Sequence, residues 1–250
     1  MGAKTAVLVY ADGEPAGLLR DAGDPEPDAT RAFVARTNPH WAEGPSSSSG
    51  SLGDSIYPAQ GTVFAGAFPG IEVLCDQQVM VDRPSELPVG LLQAGSHQRR
   101  ILLHAMHSVN DWLAFAIWEN GTLVRSLSLS PGSGIIEDIG TPLDFERPYW
   151  AGEHPVPARS PMGLPDQPPY PLPFHPLELG GEAALRALLG FVVEGRSLDT
   201  DIDPFAIRLV GFEVPVAAPI TQEDLQEFER THTRKRYRLV PGRGLVPIED

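Results

Sequence analysis

The chain has 250 residues, 42% hydrophobic and 21% charged, with a formal net charge of −14. That supports a full hydrophobic core and excludes a disordered chain. A body this acidic repels phosphate backbones, which excludes nucleic acid as the main partner.

No apolar run reaches the roughly 18 residues that cross a membrane. The start, "MGAKTAVLVYADG", reads as a first strand and not as a signal peptide. A lone cysteine, Cys75, allows no disulfide framework, so a reducing, cytoplasmic compartment is expected. Cys75 lies in the apolar run "IEVLCDQQVM" and reads as buried filler.

In chain order, "TAVLVY" is a continuous apolar strand ending at the turn "ADG". "PDATRAFVART" has helical spacing, with Asp28 as the expected N-cap. Residues 45–55, within "EGPSSSSGSLGDS", read as a flexible Ser/Gly loop. "GTVFAGAFPGIEVLCDQQVMV" reads as two strands about Pro69-Gly70, and "DRPSELPVGLLQAG" as a short helix stopped by Gly95. "RRILLHAMHS" and "WLAFAIWE" are strands joined by the turn "SVND".

Asn120-Gly121 is a strong hairpin signal, because a type I′ turn needs positive φ at both central positions. A plain two-residue hairpin sets Glu119 against Thr122, Trp118 against Leu123, Ala116 against Arg125, Ala114 against Leu127 and Trp112 against Leu129. Residues 112–118 are apolar on both faces and predict a covered, central strand.

Nine prolines in residues 155–176 predict an extended strap. "LGGEAALRALLGFVVEG" carries a helical apolar face of Leu185, Leu188, Leu189 and Val192. "FAIRLVGFEV" is a strand, and "TQEDLQEFERTHTRKRY" a terminal helix capped by Thr221. From Glu227 onward Lys/Arg outnumber Asp/Glu six to four, leaving a net −16 on residues 1–226. The segment Arg230–Leu239 reads as a solvated basic tail, or as a grip for phosphates or for the protein's own acidic surface.

Each candidate for chemistry has a structural alternative. His104 and His107, three apart on a strand, point to opposite faces and cannot chelate one metal. One is expected to be buried and hydrogen-bonded, the other to sit at a strand end. His107 is the better functional candidate, with Asp111 to orient its ring. Ser108 is adjacent, but no Gly-x-Ser-x-Gly elbow exists.

Glu137 and Asp138 are weak metal candidates or solvated charges. Tyr149, Trp150, Glu153 and His154 in "PYWAGEHP" either line a pocket or bolt a loop to the sheet. Asp12 ends the first strand, where ligands of α/β sheets bind, or simply makes a turn. Arg125, placed by the plain register beside Trp112 and Trp118, is in an internal ion pair, with Glu137 or another acid, or stacks on an indole, or reaches a ligand anion. There is no dinucleotide or P-loop signature, and no cofactor is expected.

The strings "MGAKTAVLVYADG", "LHAMHSVNDWLAFAIWENGTLVRSLSLSPGSGIIEDIG", "YWAGEHP" and "PFHPLELGGEAALRALLGF" resemble an uncharacterised, mainly actinobacterial family of cytoplasmic proteins of unknown function, over roughly residues 1–215. The resemblance implies an α+β protein and carries over no catalytic residue.

The expected fold is therefore a single α+β domain over 1–226, with a mixed, mostly antiparallel sheet, packed helices and a Pro-rich strap, followed by a basic tail at 227–250. The expected function is a non-enzymatic cytoplasmic binding or interaction protein. Its ligand site would comprise Arg125, His107, Trp150 and His154, for an anionic small molecule or a protein partner. The alternative is a hydrolase, with or without a divalent metal, using His107, Asp111, Glu137, Asp138, Glu153 or His154.

Overall fold

A computed structural model gives the structure of residues 3–38, 41, 46, 48–95, 100–156, 171–193 and 195–214, and of the backbone at 237–240 and 244–247. Nine strands form one sheet. They are β1 (Lys4–Ala11), β2 (Ser48–Ser51), β3 (Thr62–Phe68), β4 (Ile71–Cys75), β5 (Arg100–His107), β6 (Trp112–Glu119), β7 (Thr122–Ser130), β8 (Gly134–Gly140) and β9 (Arg208–Glu213). Their order across the sheet is β2-β9-β3-β4-β1-β5-β6-β7-β8.

The sheet was expected to be mixed, but every pair in it is antiparallel. For four of the eight pairs the physical reason is in the connections. β3 to β4 and β5 through β8 are joined by tight turns, and a tight turn reverses the chain; parallel neighbours need a long crossover.

Helices cover both faces. One face carries α2 (Pro27–Thr37) and α4 (Val89–Leu92), whose Phe33, Val34 and Leu91 pack with Leu8, Tyr10, Leu103, Trp112 and Trp118. The other carries α1 (Pro15–Arg20), α3 (Leu52–Ser55), α5 (Arg147–Trp150), and a π-helical turn at Glu178–Ala184 that runs into α6 (Leu185–Leu189). Burial from both sides explains why β1 from Ala6 onward and β6 up to Trp118 are unbroken apolar runs rather than alternating ones. The covered, interior strand expected over 112–118 is β6.

Local expectations differ from the structure in four places. Residues 48–51 are a strand and 52–55 a helical turn, not a loop, because Ser48–Ser51 pair with Arg208–Gly211, far away in sequence. The N-cap of α2 is Glu26 rather than Asp28, since Pro27 takes the first helical position and its missing N–H costs nothing there. The helix expected near 84–95 is two separate turns, Pro84–Glu86 and Val89–Leu92. Helix α6 ends at Leu189, so Val192 lies beyond it.

The chain divides into two compact units, Met1–Pro215 and Val216–Asp250. The second contains a two-stranded antiparallel hairpin of β10 (Tyr237–Val240) and β11 (Gly244–Pro247). The helix expected over 221–237 lies outside the described residues, except Tyr237, which opens β10. Most of the strap is outside them as well; at its end, Leu172 and Phe174 are buried in the core.

Candidate functional site

Asn120 (φ 49°) and Gly121 (φ 78°) make the expected turn, and Glu119 faces Thr122 and Trp118 faces Leu123. The register then slips. Val124 is extruded as a bulge, and Arg125 pairs with Ile117, Leu127 with Phe115 and Leu129 with Leu113. One extra residue in a strand of period two sends every later side chain to the opposite face. Gly140 on β8 provides the room: a Cβ there would lie 2.1 Å from the Val124 carbonyl oxygen.

Arg125 therefore does not join Trp112 and Trp118. It lies beneath α5 on the other face and is fully buried. Its Nε and Nη2 donate to Glu146 Oε1 (2.8 Å) and Oε2 (2.5 Å), and Nη1 to Asp138 Oδ1 (2.5 Å). Nη1 also meets the carbonyls of Ser126 and Ile139. Burial works against the charge. The hydrogen bonds to Glu146 and Asp138 outweigh it and hold the guanidinium pKa above its ordinary value. Glu146 further accepts from the Leu143 amide and Trp150 Nε1. The network closes on itself and pins the chain after β8 onto the sheet.

Glu137, offered above as the internal partner of Arg125, points to the opposite face. It accepts from the Ser85 amide (3.0 Å) and from the Ser85 and Ser126 hydroxyls. Adjacent strand residues diverge, so Glu137 and Asp138 do not share an ion. Among the described residues, no group of three or more His, Cys, Asp or Glu side chains converges to hold a metal.

His104 and His107 take opposite faces, as their spacing requires. His104 is buried between Thr5 Oγ1 (2.8 Å) and the Gly180 carbonyl (3.0 Å). Because that carbonyl only accepts, Nε2 carries the ring proton and Nδ1 accepts from Thr5. Burial pushes the His104 pKa down to about 4, against a smaller upward pull from the Gly180 carbonyl. Glycine allows this approach, since a Cβ at 180 would meet Leu113 at 2.5 Å.

His107 ends β5. Its Nδ1 accepts from the Val109 amide (3.3 Å) rather than donating to Asp111. Asp111 sits at φ 50° in the turn and faces His175 Nε2 at 3.6 Å instead. Burial raises the Cys75 thiol pKa, and its side chain is core filler.

The aromatic loop bolts to the sheet. Trp150 meets Phe174 edge-on at 5.0 Å, and the exposed His154 stacks on Tyr149 at 4.2 Å; Glu153 beside it is exposed as well. Of the four residues expected to share a ligand, Arg125 and Trp150 meet at Glu146, while His107 lies across the sheet from both.

Two open features stand out among the described residues. At the end of β1, a cleft of about 280 Å³ is lined by Asp12, Gly13, Glu14, Arg100, Glu119 and Asn120. Arg100 bridges Glu14 and Glu119, each at 2.8 Å. The sequence did contain this pair: continuing the β5–β6 register from its turn sets Arg100 opposite Glu119. The second feature is the outer edge of β8, where Ile135 is 46% and Ile139 38% exposed.

The chain matches no curated protein and no solved structure. A family model spans nearly all of the first compact unit, residues 5–212, and by that match the chain belongs to the family of unknown function DUF6928.

Proposed function

We propose that the chain is a bacterial, cytoplasmic binding protein that takes an extended segment of a basic protein partner as an added strand along β8. The observation that carries this reading is the composition of that edge. "GIIEDIG" has no lysine or proline, the usual guards of an exposed strand. Its two acids are occupied within the chain, Glu137 by Ser85 and Ser126 and Asp138 by Arg125, while Ile135 and Ile139 remain exposed. The opposite edge, β2, is four residues long and polar. Among the described residues no strand pairs with the outer side of β8.

Strand addition draws affinity from main-chain hydrogen bonds and specificity from alternate side chains. The net charge of −14 selects a basic segment and disfavours a second copy of the same acidic chain. The free, buried Cys75 supports a reducing compartment.

Fluorescence polarisation with a short peptide alternating valine and lysine tests the reading. The peptide binds the wild type, and its valine–glutamate counterpart does not. Ile135→Glu and Ile139→Glu weaken binding about tenfold despite adding negative charge. Tighter binding to those variants would reduce the effect to bulk electrostatics and end the proposal. A dimer in sedimentation, abolished by the same variants, would replace it with self-pairing.

A further inference from the structure

At the opposite end of the sheet from the Arg100 cleft, three strands set three nitrogen-bearing residues side by side. Lys4 on β1 pairs with His107 on β5, and His107 pairs with Trp112 on β6. Directly paired residues share a face, and neighbouring strands lie about 4.8 Å apart. The three side chains therefore leave one face in a row. Tyr57 closes the row, with Lys4 Nζ 5.1 Å from its ring centroid and the His107 ring edge-on at 6.4 Å.

Each member offers a donor. Lys4 carries a full charge, and no carboxylate pairs with it among the described residues. The Val109 amide occupies His107 Nδ1, which leaves the ring proton on Nε2. Trp112 is only 6% exposed, yet its indole N–H is buried without an acceptor among the described residues. The neighbouring Ser108 hydroxyl is likewise buried without a partner among the described residues. Folded proteins leave few such groups unsatisfied, because each forfeits the hydrogen bond it makes in water. The nearest acid in sequence, Asp111, is turned to His175.

We infer that Lys4, His107 and Trp112 form a binding site for a phosphate-type oxyanion, an assignment independent of the β8 edge. A tetrahedral oxyanion has an oxygen for each of three donors arriving from three adjacent strands. A planar carboxylate has only two oxygens, so two of the three donors would have to share one. The ammonium of Lys4 supplies the charge, the indole and imidazole supply direction, and Tyr57 shields the site from water. The inference keeps His107 as a ligand residue and replaces Arg125, Trp150 and His154 with groups on its own face.

Titration of inorganic phosphate into the full chain, followed by the indole N–H resonances, tests it. Trp112→Phe identifies the resonance of Trp112. Phosphate shifts that resonance saturably, and sodium chloride at equal ionic strength does not. Lys4→Met and His107→Gln, both at a partly exposed end of the sheet, each weaken phosphate binding about tenfold, the value of one charge-assisted hydrogen bond. The Ile139→Glu variant binds phosphate like the wild type, which separates this site from the edge strand. No saturable shift, or an equal shift in the Lys4→Met and His107→Gln variants, would overturn the site. Equal affinity for acetate would overturn the tetrahedral assignment.

Discussion

Arg125 and Glu146 form an ion pair that solvent does not reach: both side chains are 0% exposed, and Nη2 lies 2.5 Å from Oε2. Their attraction offsets a large desolvation cost, so neither charge is tolerable alone. Arg125→Met and Glu146→Leu should each destabilise the protein by about 3–5 kcal/mol. The double variant Arg125→Met/Glu146→Leu should cost clearly less than the two together, because no fully buried charge is left behind, Asp138 being 42% exposed to solvent. Urea unfolding of the four proteins measures this. Additive losses would show that the two side chains act independently.

His104 makes stability depend on pH in a defined window. Its folded pKa is about 4, against 6.5 for an ordinary histidine. Between those values the unfolded chain binds the proton and the folded chain does not. Unfolding therefore becomes easier as pH falls from 6.5, and the loss is complete near pH 4. The full contribution is roughly 3 kcal/mol. In His104→Gln the fall across this window should be shallower by one proton's worth of slope. Parallel curves for the variant and the wild type would place the acid sensitivity elsewhere.

Gly140 holds the bulge open. It has φ 84°, and a Cβ there would overlap the Val124 carbonyl at 2.1 Å. Gly140→Ala should cost about 2–4 kcal/mol, combining strain with the collision. Gly121→Ala, at φ 78° with open space around it, is a control that carries strain alone, about 1 kcal/mol. Equal losses in thermal unfolding would show that the bulge relaxes freely.

All nine strands of the large sheet precede residue 215, and so does the family match. Removal of Val216–Asp250 should therefore leave a cooperatively folding protein with a midpoint close to that of the whole chain. Calorimetry of the truncated chain checks it, and a broad or strongly lowered transition would assign the second unit a stabilising role.

Much of this architecture was legible in the sequence because it is local. Apolar runs bounded by Gly, Pro and Asn-Gly mark β1 and β3 through β7, and the turn chemistry at 120–121 needs no tertiary partner. The opposite faces of His104 and His107 follow from strand periodicity alone. What the tertiary structure decided depends on residues distant in the chain. The register beyond Trp118 could not be read from the hairpin, since the bulge at Val124 needs the bare backbone of Gly140 on the next strand. That single slip sent Arg125 to the other face, where Glu146 meets it. His104 owes its neutral state to burial beneath Gly180, 76 residues on, and Asp111 finds His175 rather than its neighbour His107. Periodicity says which face a side chain leaves from. It cannot say which distant segment packs over that face, because that depends on the summed burial of the whole sheet.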